Sequence, residues 1–234
     1  MRAIVFDLDD TLYLERDYAL SGFKAVATWA ESHLGLPIEV SYGDLAGLFE
    51  VGVRNKTFDA WLAARGQPMD TLPALVRVFR EHDPLIEPLP AAKQLLRWLR
   101  SHYSLGLVTD GYSSVQKKKL TALDLEDCFD AVVFSDVEGR KAWKPSPRPF
   151  VVALEALGVS GREAVYVADN PAKDFLGARR AGMWSIRVRT PRGVYRDLEP
   201  ESPDHDSDVE IDQLENLIDA IAAVDGLILA GVTS

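Results

Sequence analysis

The chain has 234 residues, enough for one large domain or a core with a small insert. Its 47% hydrophobic content suits a protein with a real core, and its net charge of -10 at pH 7 argues against a nucleic-acid or anionic-membrane surface. A single cysteine, Cys128, excludes an intramolecular disulfide, and Asp127 and Asp130 beside it disfavour a thiolate nucleophile. The N-terminus shows no basic region followed by an apolar stretch. No apolar run, the final 227–230 included, reaches the roughly 20 residues of a membrane span. The expectation is a cytoplasmic protein without signal peptide or membrane segment.

Ala3-Ile4-Val5-Phe6 is an apolar run of the kind covered on both faces in a parallel sheet, and Asp7-Leu8-Asp9-Asp10-Thr11 follows it directly. Open α/β sheets bind ligands outside the carboxyl ends of their strands, where Asp7 falls. Carboxylates crowded there raise one another's pKa, a conflict that a bound Mg²⁺ removes. Taken alone, the same residues also suit an acidic turn and helix cap, and Asp10 is expected to face solvent or to cap. Strand signals then stop for about 90 residues, while apolar residues recur at helical spacing over 19–34, 42–53, 57–64 and 71–82. Gly35-Leu36-Pro37, Gly66-Gln67-Pro68 and Asp83-Pro84 punctuate them as loops. Four helices without an intervening strand are unusual for βαβ winding, so this block reads as a separate small lid, the alternative being helices packed on the sheet. Beyond Pro90, helices over 91–102, 113–123, 147–157 and 173–181 alternate with strands over 104–109, 131–135, 164–168 and 184–188. This alternation predicts a parallel sheet with right-handed crossovers, with Gly158 and Gly182 as helix stops. A polar surface loop over 192–207 and a final amphipathic helix over 211–224 complete the chain.

Four core strands are followed by chemically suggestive groups: Asp7 and Asp9, then Thr109-Asp110-Gly111, then Lys144-Pro145, then Asp169-Asn170-Pro171-Ala172-Lys173-Asp174. With these four in this order, the chain resembles the haloacid dehalogenase (HAD) superfamily, in particular its phosphatase branch with a helical cap inserted after the first motif. The resemblance implies an α/β fold: a Rossmann-like parallel-sheet core over 1–13 and 83–234, and an all-helical cap over 14–82. It also implies a metal, Mg²⁺, held by Asp7, the backbone carbonyl of Asp9, Asp169, phosphate and waters.

The chemistry of each residue type fits these roles. A carboxylate at Asp7 can attack phosphorus and split hydrolysis into two displacements through an aspartyl-phosphate. Asp9, two residues on, is placed to protonate the leaving oxygen and then to deprotonate water, provided that its surroundings raise its pKa. The Thr109 hydroxyl and the turn N–H groups of Asp110 and Gly111 are suited to phosphoryl oxygens. Lys144 supplies a compact cation; Lys141 is a rival, and Lys144 is preferred because Lys144-Pro145 resembles the family's Lys-Pro pattern. Asp174 orients Lys144 or metal-bound water, or simply favours a helix N-terminus, and Asn170 shapes the same loop. The Lys117-Lys118-Lys119 run reads as a solvated helix face.

Asp9 favours phosphoryl transfer over dehalogenation, since a halide leaving group needs no acid. The reading is a Mg²⁺-dependent phosphatase for a small phosphorylated metabolite, with no nucleic-acid or membrane partner, as a monomer or homodimer. A phosphomutase of the same superfamily and a non-catalytic phosphate-binding regulator remain as alternatives. In the cap, Arg16, Tyr18, Lys24, Arg54, Asn55, Lys56, Trp61 and Arg65 either read the substrate or form a solvated helical face, the latter being expected for most of them.

Overall fold

The computed structural model describes residues 1–230. The chain divides into two compact units, one taking Met1–Glu15 together with the chain from Glu87 onward, the other Arg16–Ile86. The first unit is built on six parallel strands: β1 (Ala3–Phe6), β2 (Ser104–Thr109), β3 (Ala131–Phe134), β4 (Ala164–Ala168), β5 (Trp184–Val188) and β6 (Val209–Ile211). They lie in the order β3-β2-β1-β4-β5-β6, so the winding direction reverses at β1. All four residues of β1 are fully buried, as an apolar run between two strands and two helical layers requires. Phe6 pairs with Leu107 on β2 and with Val167 on β4, which brings the carboxyl ends of the three strands level. Asp7, Thr109 and Asp169 therefore emerge together at the switch point, the usual ligand crevice of such sheets.

Around the sheet run α5 (Ala92–Arg100), α6 (Ser113–Ala122), α7 (Arg148–Leu157), α8 (Phe175–Arg180) and α9 (Leu217–Leu229), which follow α1–α4 of the second unit in the chain. Phe150, Ala153 and Leu154 of α7 pack on Val5, Val108 and Tyr166 in one buried cluster, and Gly158 closes α7 in the left-handed conformation at φ 65. Val209-Glu210-Ile211 forms a sixth strand, so Ile211 does not open the last helix, which starts only at Leu217. Three residues with an exposed centre carry too little hydrophobic alternation to announce an edge strand.

One glycine decides how closely two elements meet. A Cβ on Gly177 of α8 would lie 2.6 Å from the Phe150 ring and 2.9 Å from the carbonyl oxygens of both Pro145 and Ser146. Only a bare backbone lets α8 rest on the segment after Lys144. Gly177→Ala is expected to cost about 1–3 kcal/mol through overpacking, read as a lower urea midpoint with an unchanged slope. An unchanged midpoint would show that this approach is not tight.

The second unit holds the greater part of α1 (Glu15–Leu34) with α2 (Ile38–Glu50), α3 (Thr57–Ala64) and α4 (Leu72–Glu81). Its core is aromatic: Phe23, Phe49, Phe58 and Phe79 meet ring to ring, and Tyr18 stands edge-on to Phe79 at 5.5 Å. Trp61 and Tyr18 are buried in this unit, so they belong to no solvated face. Arg16 pairs with Glu50 and Arg65 with Asp44, while Arg54 lies over the Phe49 ring and bonds its carbonyl. Among the described residues no helix is long and apolar enough to cross a membrane.

Candidate active site

Asp7 leaves β1 almost fully buried, and Lys144 Nζ stands 2.8 Å from its Oδ1. The same ammonium lies 2.7 Å from Asp174 Oδ1 and 2.9 Å from the Tyr166 hydroxyl. An ammonium has three N–H donors, and these three acceptors use them all. Buried acidic partners hold the Lys144 pKa above its usual value: burial opposes the charge, and Asp174 and then Asp7 outweigh it. Lys141 is exposed, so of the two candidate lysines only Lys144 reaches the carboxylates. Asp174 Oδ2 accepts the N–H of Asn170 at 2.9 Å, and Asn170 Oδ1 accepts that of Ala172 at 3.0 Å, which fixes the loop after β4.

Asp7, Asp169 and Asp174 each bring a carboxylate oxygen within 4.8 Å of the others. Both Asp174 oxygens are taken, whereas Asp7 Oδ2 and Asp169 Oδ2 are buried without any hydrogen-bond partner. Two of the three carboxylates touch the one ammonium, and Lys173 acts on Asp7 and Asp169 as a further cation, so negative charge stays in excess in a dry place. Burial first, and then Asp174 and Asp7, push the Asp169 carboxyl well above the usual range; burial also raises that of Asp7, with Lys144 working against it. A divalent, oxygen-seeking cation between the two orphaned oxygens matches both the charge and the donor type, and Mg²⁺ fits the set.

Asp9 has a different environment from the one a general acid needs. Its Oδ1 accepts from Lys119 Nζ at 2.6 Å and from the Tyr13 hydroxyl, and its Oδ2 from Gln116 Nε2 at 2.9 Å. Burial pushes its pKa up, but the Lys119 charge and these hydrogen bonds win and hold it at about 2. Lys119 is thus buried on the site instead of lying on a solvated face, which corrects the sequence reading of 117–119 at that residue, while Lys117 is exposed as expected. It shares the inner stripe of α6 with Val115, Gln116 and Leu120, a spacing of three and four residues that the lysine run disguised. Gln116, Lys119 and Tyr13 had no motif to announce them.

Thr109 closes β2 fully buried, and its Oγ1 accepts from Gln116 Nε2 at 2.5 Å. The Asp110 side chain turns to the protein, accepting from Ser135 Oγ at 2.5 Å and from the Lys144 N–H at 3.2 Å. Its carboxylate therefore positions the lysine segment. Gly111 has φ 117, a conformation that L side chains rarely adopt. Asp10 does not face solvent. It is fully buried, accepts the N–H of Glu15 at 2.8 Å at the start of α1, and accepts that of Val194 at 2.6 Å. Thr190 Oγ1 donates to its carbonyl at 2.6 Å, so Asp10 caps a helix and anchors the 190–194 loop.

The family model for haloacid dehalogenase-like hydrolases matches residues 1–182, and the chain belongs to that family. It is 34% identical over 231 residues to the glyceraldehyde 3-phosphate phosphatase of Methanopyrus kandleri, covering 94% of this chain and 97% of the relative. It is 31% identical to the phosphoserine phosphatase of Thermus thermophilus over 86% of this chain and 70% of that one. Among solved structures, the HAD hydrolase YfnB of Bacillus subtilis, described as bound to magnesium, superposes with a TM-score of 0.67 at 22% identity. That match covers 94% of this chain and 98% of YfnB. The α/β HAD fold expected from the sequence is thereby established.

Proposed function

We propose that the protein is a phosphatase that hydrolyses small-molecule phosphate monoesters through an aspartyl-phosphate on Asp7, with Mg²⁺ as cofactor. One observation carries the reading: the orphaned oxygens of Asp7 and Asp169, buried beside a lysine whose donors are all in use. The two relatives named as phosphatases act on small phosphate esters, and YfnB holds magnesium, which supports substrate class and metal alike. Asp7, Asp169 and the Asp9 carbonyl would hold the ion. When bound, it neutralises charge between Asp7 and the incoming phosphate.

The Asp7 carboxylate forms a bond to phosphorus as the ester P–O bond breaks, and Asp9 gives the leaving oxygen a proton. Water then attacks phosphorus and passes its proton to Asp9. The bond to Asp7 breaks, and inorganic phosphate leaves. Lys144 neutralises Asp7 and the phosphoryl group, with Asp174 and Asn170 holding the lysine and its loop in place. The Thr109 hydroxyl and the N–H groups of Asp110 and Gly111 grip the phosphoryl oxygens. A carboxyl held at about 2 has no proton to give at neutral pH. A phosphate dianion arriving beside Asp9 acts in the needed direction, since a like charge raises the pKa and draws Lys119 away.

The test is phosphate release from a panel that starts with glyceraldehyde 3-phosphate and phosphoserine, with and without Mg²⁺, together with thermal melting. Saturating Mg²⁺ is expected to stabilise the protein by about 2–3 kcal/mol, a rise of several degrees in Tm that Asp169→Asn removes. No release from any ester and no melting response would defeat the reading.

A further inference from the structure

We propose that Gln116 is a positioning residue that couples the phosphate grip to the acid–base group, through one side-chain amide bonded to both Thr109 and Asp9. This inference rests on the phosphatase reading above and adds a residue to it. Gln116 is 1% exposed on the inner face of α6, with Nε2 2.9 Å from Asp9 Oδ2 and 2.5 Å from Thr109 Oγ1.

Hydrogen-bond direction settles what this contact does. Asp9 is ion-paired with Lys119 at 2.6 Å, and an ionised carboxylate only accepts. The NH₂ end of the amide must therefore face Asp9, and since the same nitrogen faces Thr109, Thr109 Oγ1 must accept as well. A hydroxyl that accepts keeps its single proton for another partner. No acceptor among the described residues takes that proton, so Thr109 is loaded to donate to a phosphoryl oxygen. Had the amide presented its oxygen, Thr109 would have spent its proton on Gln116 and met the anion with a lone pair. The second N–H of the amide fixes the rotation of the Asp9 carboxylate, with Lys119 and Tyr13 holding the other oxygen. Gly111 lies against the same amide: a Cβ there would meet Gln116 Cδ at an ordinary contact distance of 3.4 Å, so it is the φ of 117, not space, that favours glycine.

Two effects stem from one residue, and they separate kinetically. Losing the donor to Thr109 weakens the grip on any phosphate. Losing the donor to Asp9 slows only those esters whose leaving oxygen needs a proton. Gln116→Met keeps length and volume and removes both donors. The experiment measures first-turnover release from an alkyl phosphate and from p-nitrophenyl phosphate with Mg²⁺ present, along with inhibition by inorganic phosphate. The expected results are a roughly 5–10-fold weaker inhibition by phosphate, a roughly 10–100-fold slower first turnover on the alkyl ester, and a change under about 3-fold on the nitrophenyl ester. A Tm within a few degrees of the unsubstituted protein certifies the fold; should the methionine variant unfold, Gln116→Leu takes its place. Equal slowing on both esters, or unchanged inhibition by phosphate, overturns the inference while leaving the phosphatase reading intact. Release from neither ester by the unsubstituted protein sinks the phosphatase reading and this inference with it.

Discussion

Asp7→Asn is expected to lower phosphate release by roughly 10⁴-fold or more, the order of loss when a covalent nucleophile is removed from an otherwise intact site. The asparagine fits the same space at the end of β1, so the fold is retained. It even relieves part of the repulsion among Asp7, Asp169 and Asp174, whose oxygens crowd within 4.8 Å of one another. Melting temperature without metal is therefore expected to hold or rise while activity disappears. Binding of Mg²⁺ should weaken, because one of the two unpartnered oxygens is replaced or neutralised. Residual activity within about ten-fold of the unsubstituted protein would remove Asp7 as the nucleophile.

Lys144→Met is expected to be the most damaging change to stability. The ammonium is the shared partner of Asp7 and Asp174, and the side chains of Lys144, Asp7 and Asp174 are 0%, 2% and 0% exposed, so no water replaces it when it goes. Breaking a buried pair by deleting one partner costs about 3–5 kcal/mol, because the remaining charges are left uncompensated. Tyr166, fully buried beneath them, loses its donor too. Pairing the change with Asp174→Asn should recover part of the loss, and a double-mutant cycle on urea unfolding measures that coupling. Additive losses would show that the two groups do not share a charge balance. Activity is expected to stay low in the double variant, since the proposed mechanism also uses Lys144 to neutralise the phosphoryl group.

Much of the architecture was legible because it is local. The apolar run 3–6 and the acidic residues behind it declare a buried strand and its carboxyl end without reference to the rest of the chain. Strands β2, β4 and β5 fall where alternation with helices places them, and the aspartates and threonine at their ends come with them. What stayed hidden depends on distant partners. Asp10 looks like a turn residue, yet it is buried because Thr190 and Val194, some 180 residues on, bond to it. Gln116 and Lys119 reach Asp9 across 107 and 110 residues of chain, and a triple-lysine run reads as solvated unless the register of its helix is known. The state of Asp9 depends on that same long-range contact, so neither its depressed pKa nor its cause was readable from spacing.

The proposed mechanism stands on covalent phosphorylation of Asp7. The direct measurement is to mix the protein with Mg²⁺ and a hydrolysed ester, quench in acid within the first turnover, and locate the phosphoryl group by peptide mass spectrometry. The prediction is one acid-stable, hydroxylamine-labile phosphoryl group on Asp7, absent from Asp7→Asn. Full phosphate release with no phosphorylated peptide at any quench time, or a phosphoryl group on another residue, would contradict it.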